Sequence, residues 1–210
     1  MKAHLNPEEA ALILVDIQND FCHEAGACAN RGSDVTDAQA IIPQVQKLIT
    51  EARKMNVPVI FIQMTLDENT VSEAWKTRLS LQKPSQDPLG IVKKYSWGTE
   101  FYKLEPQAED IIVEKHRYSA FIGTDLNMIL QNLKRKSIIM TGVATNVCVE
   151  STARDGFMLD YNVTLVKDAS ACYSRELHDS TIMNIENTFG LALDTDDIIN
   201  YWSKTLTMNV

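Results

Sequence analysis

The chain has no apolar run of membrane-spanning length, no paired-cysteine motif and no basic tract, and each gap removes a class of function. Its first apolar run, Ala10 to Val15, is far shorter than the ~20 residues that a spanning helix needs. Met1 to Glu9 is short and polar, unlike a basic-then-apolar leader, so a cytoplasmic location is expected. Among 210 residues there are four cysteines, Cys22, Cys28, Cys148 and Cys172, and none forms a CxxC pair. That number is low for a disulfide framework, so reduced thiols are expected. Cys22, His23 and Cys28 lack a matching second pair of ligands, which makes the segment a loop with two small residues rather than a zinc site; no metal and no cofactor are expected. Lys and Arg number 20 against 28 Asp and Glu, a net charge of −8. That balance opposes nucleic acid and anionic membrane, and leaves small molecules as the expected partners.

What remains is ordinary globular material, with 45% hydrophobic and 23% charged residues, enough for one well-packed domain over residues 1–210. Short apolar runs alternate with helix-like segments, the pattern of an α/β fold: a single-domain, Rossmann-like, three-layer αβα arrangement with a mostly parallel sheet of about six strands. The runs Ala11–Asp16, Val57–Gln63, Asp110–Val113, Ser137–Thr141 and Asn162–Val166 read as strands, with a short sixth at Gly190–Leu193. Between them, Ala38–Met55 carries Ile41, Val45, Leu48, Ile49 and Ala52 at helical spacing. Leu126, Ile129, Leu130 and Leu133 repeat that spacing behind a Thr124 or Asp125 cap, and Glu150–Leu159 reads as a further helix. The segment Thr65–Gln107, interrupted by Pro84, Pro88, Gly90, Gly98 and Pro106, reads as mostly loop with one short helix near Ser72–Ser80. A loop of that length suits a lid or a specificity element.

Ligands of open parallel sheets bind beyond the carboxyl ends of the strands, and three reactive side chains fall at such ends. Asp16 closes Ile13-Leu14-Val15, Lys115 follows Ile111-Ile112-Val113, and Cys148 follows the run Ile138-Ile139-Met140 and its Thr-Gly turn. Cys148 falls in what reads as the first turn of a helix, where unpaired N–H groups and the helix dipole are expected to lower its pKa. A thiol needs a base, which Asp16 can supply, and two neighbouring anions need a cation, which Lys115 can supply. Each residue alone also has a structural reading, as turn former, solvated charge or core thiol.

These residues lie in three segments: Val15-Asp16-Ile17-Gln18-Asn19-Asp20-Phe21, Glu114-Lys115-His116-Arg117-Tyr118-Ser119-Ala120-Phe121 and Thr141-Gly142-Val143-Ala144-Thr145-Asn146-Val147-Cys148. In this combination the chain resembles the isochorismatase-like cysteine hydrolases from about Ala11 to Trp202. Within them it is most similar to the ureidoacrylate amidohydrolases, to which the runs Gly142–Phe157 and Asn184–Gly190 also correspond. The resemblance implies an Asp16, Lys115 and Cys148 catalytic triad. It also implies a cis peptide between Val143 and Ala144, and an oxyanion hole from the N–H groups of Ala144 and Cys148. It implies hydrolysis of a small linear amide of ureido or carbamoyl type through a thioester, with release of ammonia, and assembly as a homo-oligomer. Replacing Lys115 with Ala is expected to abolish turnover and leave the fold intact.

Phe21, Trp97 and Tyr118 are candidates for pocket walls, and Gln18, Asn19 and Gln63 for hydrogen bonds to the substrate amide. A core role stays open for Phe21 and Trp97, and a turn or cap role for Asn19. His116 and Arg117 read as orienting or interface residues. Nicotinamidases carry an Asp and His metal cluster after the second strand, and Phe61 to Asn69 contains no histidine. Isochorismatases proper act on a vinyl ether, for which a cysteine is not required. Two further alternatives are a non-catalytic binding protein on the same fold and a redox sensor in which another cysteine resolves Cys148.

Overall fold

In the structure, a computed structural model that describes residues 1–80, 87 and 89–208, β-branched runs form six strands. These are β1 (Ala10–Val15), β2 (Val59–Met64), β3 (Ile111–Lys115), β4 (Ser137–Val143), β5 (Asn162–Ala171) and β6 (Gly190–Leu193). All neighbours pair in parallel, in the order β3-β2-β1-β4-β5-β6. That order reverses direction between β1 and β4, which opens a crevice at their carboxyl ends.

Chain order gives the helices α1 (Lys2–Leu5), α2 (Asn19–Cys22), α3 (Ala27–Asn30), α4 (Thr36–Ala40) and α5 (Ile42–Lys54). They are followed by α6 (Glu73–Ser80), α7 (Leu126–Asn132), α8 (Glu150–Met158), α9 (Arg175–Asn184) and α10 (Thr195–Met208). Alternation along β1 sorts the core into two layers, since successive side chains of a strand point to opposite faces. Leu12 and Leu14 pack with Val45, Leu48 and Ile49 of α5 and Trp202 of α10. Ala11, Ile13 and Val15 pack with Leu126 and Leu130 of α7 and Ala153 of α8. Burial of β1 on both faces accounts for its unbroken apolar sequence.

Several boundaries differ from the sequence expectation. The helix expected over residues 38–55 is two, α4 and α5, because Pro43 has no N–H to continue a helix through that point and sits instead in the first turn of α5. β5 runs on to Ala171, past the expected Val166, through an irregularity in which Met140 pairs with Leu165 but Gly142 pairs with Ser170. Apolar continuity alone does not reveal such a bulge. The expected helix near residues 72–80 is α6, whereas residues 81–86 and 88 of the expected loop lie outside the described residues. A single 3₁₀ turn, Trp97–Thr99, interrupts the rest of that loop.

Gly142 sets the closeness of β1 and β4 at the crevice. Its φ is +116°, and a Cβ there would lie 2.1 Å from the carbonyl oxygen of Val15. Only glycine fits both demands. Gly142→Ala is expected to lose on the order of 3 kcal/mol of stability or to fail to fold. A thermal melt matching that of the wild type would show that the two strands can separate at no cost.

Candidate active site

Three strand ends deliver one cluster at the crevice. Asp16 follows β1 with φ +52°, a left-handed conformation that Asp tolerates better than most residues, and its side chain is 0% exposed. Lys115 ends β3, is also 0% exposed, and reaches across to place Nζ 2.8 Å from Asp16 Oδ2. The same ammonium donates to the carbonyl oxygens of Arg117 at 3.0 Å and Tyr118 at 2.9 Å. Cys148, 5% exposed, lies in a π-helical turn, Thr145–Val149, between β4 and α8. Its thiol lies beside Asp16 and Lys115 and interacts electrostatically with both. The peptide between Val143 and Ala144, where the chain leaves β4, is cis.

Burial dominates the electrostatics. It raises the Asp16 carboxyl above its ordinary value, against the opposing pull of the Lys115 charge. Burial acts to lower the Lys115 ammonium, but the neighbouring Asp16 charge prevails and holds it above the usual lysine value. For Cys148, burial pushes the thiol well up, and the Lys115 charge offsets this only in part. This corrects the expectation of a lowered cysteine pKa. The first-turn position assumed from the sequence is a π turn, and desolvation is the largest influence on the thiol. The resting thiol therefore keeps its proton, beside a carboxylate whose raised pKa makes it a better acceptor.

Cys148 opens onto a cavity of about 370 Å³ whose walls include Phe21, Leu66, Trp75, Ile91 and Tyr118, with Ala144 beside the thiol. Asp16 and Lys115 lie behind the cysteine and contribute no lining surface.

The isochorismatase domain family matches residues 10–197. The chain belongs to the isochorismatase family. A ureidoacrylate amidohydrolase, RutB, from Acinetobacter baylyi is 34% identical over 93% of this chain and 84% of its own. A second RutB, from Serratia proteamaculans, is 34% identical over 96% and 86%. A cysteine hydrolase of known structure from Pseudomonas syringae pv. phaseolicola superposes with a TM-score of 0.81 at 29% identity, covering 95% of this chain and 94% of that one.

This isochorismatase-family chain uses several of the expected binding residues as structure instead. Gln18 is fully buried; its Nε2 donates to the carbonyls of Met64 and Thr99, each at 2.9 Å, and its Oε1 accepts from the Met64 N–H at 2.8 Å. Asn19 donates to the Trp97 carbonyl at 3.0 Å and Gln63 to the Thr99 carbonyl at 2.9 Å. The three amides fasten the Trp97–Thr99 turn to the carboxyl end of the sheet. Trp97 itself is 46% exposed, packs its ring against His23 at 5.0 Å, and does not line the cavity. Of the six candidates, Phe21 and Tyr118 reach the cavity. Cys28 lies in the cavity wall and Cys22 is buried nearby.

Further residues hold the site together or line its cavity. Thr152 Oγ1 donates to the Cys148 carbonyl at 2.7 Å and accepts the Ala120 N–H at 3.0 Å, joining the nucleophile turn to the segment after Lys115. His178 Nδ1 meets Thr145 Oγ1 at 3.0 Å, tying the same turn to α9, and burial keeps that imidazole below its ordinary pKa. His116 Nδ1 bonds the Thr65 carbonyl at 2.8 Å and Arg117 Nη1 the Thr70 carbonyl at 2.9 Å, an orienting role. Arg31, Trp75 and Arg78 line the cavity. Trp75 and Arg78 stand three residues apart in α6, one helical face, which was the available clue.

Full burial of the ion pair also corrects the expectation for Lys115→Ala. Removing the cation strands the Asp16 carboxyl in the interior, so the variant is expected to lose about 3–5 kcal/mol of stability together with its activity. Denaturant melts of wild type and variant measure this, and coincident midpoints would contradict it.

Proposed function

We propose that the chain is a cysteine-dependent amidohydrolase that cleaves the C–N bond of a small linear amide, of ureido or carbamoyl type, through a thioester. The observation that carries this reading is the contact of the Cys148 thiol with the Asp16–Lys115 pair at the wall of a substrate-sized cavity. The two amidohydrolase relatives at 34% identity support the substrate class.

In this reading Asp16 accepts the thiol proton as Cys148 Sγ attacks the carbonyl carbon. Lys115 stays charged and balances whichever of the two groups is anionic, so the total charge behind the cavity changes little as the proton moves. The tetrahedral oxyanion is met by the N–H groups of Ala144 and Cys148. Protonated Asp16 then gives its proton to the departing nitrogen, ammonia leaves, and the acyl or carbamoyl group remains on sulfur. Water enters, Asp16 takes its proton, and the thioester breaks to a carboxylic or carbamic acid and the Cys148 thiol.

Ammonia release from a panel of ureidoacrylate, biuret, N-carbamoyl amino acids and nicotinamide, with wild type beside Cys148→Ala, tests the proposal. Release from the ureido or carbamoyl members that vanishes in the variant is expected. Release that persists in Cys148→Ala, or that occurs with nicotinamide alone, contradicts it.

The raised Asp16 pKa has a direct kinetic sign. Asp16 accepts a proton only when ionised, so kcat/KM is present above the Asp16 pKa and lost as pH falls through it. The acid limb is expected above the ordinary carboxylate range. A limb at the ordinary value in a pH profile would remove Asp16 as the base.

A further inference from the structure

A second cavity, of about 180 Å³, lies at the carboxyl end of β5, and the proposed reaction makes no use of it. Asp37 of α4, Lys167, Asp168 and Ser170 of β5, and Arg175 and His178 of α9 line it. The irregularity of β5 accounts for this set. Val166 to Ala169 lie opposite Thr141 alone in the ladder to β4, and such a bulge breaks the regular alternation of side chains. Lys167 and Asp168 both reach the cavity, which neighbours on a regular strand, pointing to opposite faces, would not do.

One lining residue lacks what burial demands. Ser170 is 3% exposed, and its Oγ is buried without a hydrogen-bond partner. A hydroxyl left unpaired in the interior is costly, and a ligand in the cavity that Ser170 lines can satisfy it.

The charges around that hydroxyl are only partly used. Asp168 Oδ1 accepts from the Thr195 N–H and hydroxyl, both at 2.8 Å, and Oδ2 has no partner among the described residues. The Asp37 carboxylate has neither ion pair nor hydrogen bond among them. Lys167 Nζ lies 3.6 Å from Asp194, beyond hydrogen-bond distance. Arg175 meets Asp179 through Nε, which leaves its two terminal nitrogens. Free acceptors and free donors therefore face the same small volume. A lone cation would meet Lys167 and Arg175, and a lone anion would meet Asp37 and Asp168. A molecule carrying both charges can set each against its opposite. At the ~30 Å³ that one water occupies in the liquid, the cavity has room for about six non-hydrogen atoms, the size of alanine.

We propose that this cavity is a binding site for a small zwitterionic amino acid, its ammonium held by Asp37, Asp168 and Ser170 and its carboxylate by Lys167 and Arg175. The site shares no lining residue with the Cys148 cavity. His178 connects the two, since its Nδ1 meets Thr145 Oγ1 at 3.0 Å in the turn that carries Cys148.

Equilibrium dialysis with radiolabelled L-alanine tests the site, with propionate and propylammonium as competitors that each keep one of the two charges. Alanine is expected to bind at least about tenfold more tightly than either ion, and about tenfold less tightly to Ser170→Ala and to Asp37→Asn. Asp37 is exposed, so its variant reads the site even where loss of the Ser170 hydroxyl disturbs folding. Trp75→Ala and Arg78→Gln, which alter the Cys148 cavity, are expected to bind alanine as the wild type does. Competition by either ion as strong as that of unlabelled alanine overturns the zwitterionic ligand. No retention of alanine overturns the site, as does retention unchanged in both Ser170→Ala and Asp37→Asn. Retention lost in Arg78→Gln and kept in Ser170→Ala places alanine in front of Cys148 and overturns it too. None of these readouts depends on whether Cys148 turns over an amide.

Discussion

Lys115 and Asp16 hold two full charges out of reach of water, and much of the surrounding structure answers the cost of keeping them there. Desolvation of each ion costs several kcal/mol, which their mutual attraction offsets only if the geometry is close and the remaining protons are bonded. The 2.8 Å contact meets the first condition, and the Arg117 and Tyr118 carbonyls meet the second. Those carbonyls must in turn be held in position. His116 and Arg117 do so by bonding the Thr65–Thr70 segment, and Thr152 fixes Ala120 from the other side. The pair thus extends its demand through a shell of backbone contacts that carry no chemistry themselves.

Placing the thiol against this pair separates two properties that a surface cysteine combines. A surface thiolate is reactive because it is already deprotonated, and is therefore exposed to every electrophile. Cys148 is deeply buried and keeps its proton at rest, with an acceptor adjacent. In the proposed reaction, reactivity arises only when a carbonyl within the cavity gives the electron pair somewhere to go. The same burial that raises the thiol pKa keeps bulk water from the cluster, so local charges act at greater strength.

The fold and the placement of Asp16, Lys115 and Cys148 at strand ends were legible in sequence for one reason: both follow from short-range pattern. Buried parallel strands are continuous apolar runs, and Asp16, Lys115 and Cys148 each stand next to one. The direction of the Cys148 pKa was not legible, because it depends on how much protein covers the thiol. Gln18, Asn19 and Gln63 look like ligand-binding amides in sequence; their partners are carbonyls of Met64, Trp97 and Thr99, supplied by segments brought near only by folding. Trp75 and Arg78 were missed for the converse reason. Their helix was anticipated, but the contact of its Trp75 and Arg78 face with Tyr118 at the cavity wall is made only by folding.

The Thr152 hydroxyl is a single atom shared by two chain segments: it bonds the Cys148 carbonyl on one side and the Ala120 amide on the other. The register between the cysteine turn and the segment after the lysine is therefore fixed by a side chain and not by the covalent path through α7 that joins them. The exposed turns of that path can therefore change length or composition at less cost than α7 and β4, whose side chains fill the core, while one threonine keeps the two halves of the centre aligned.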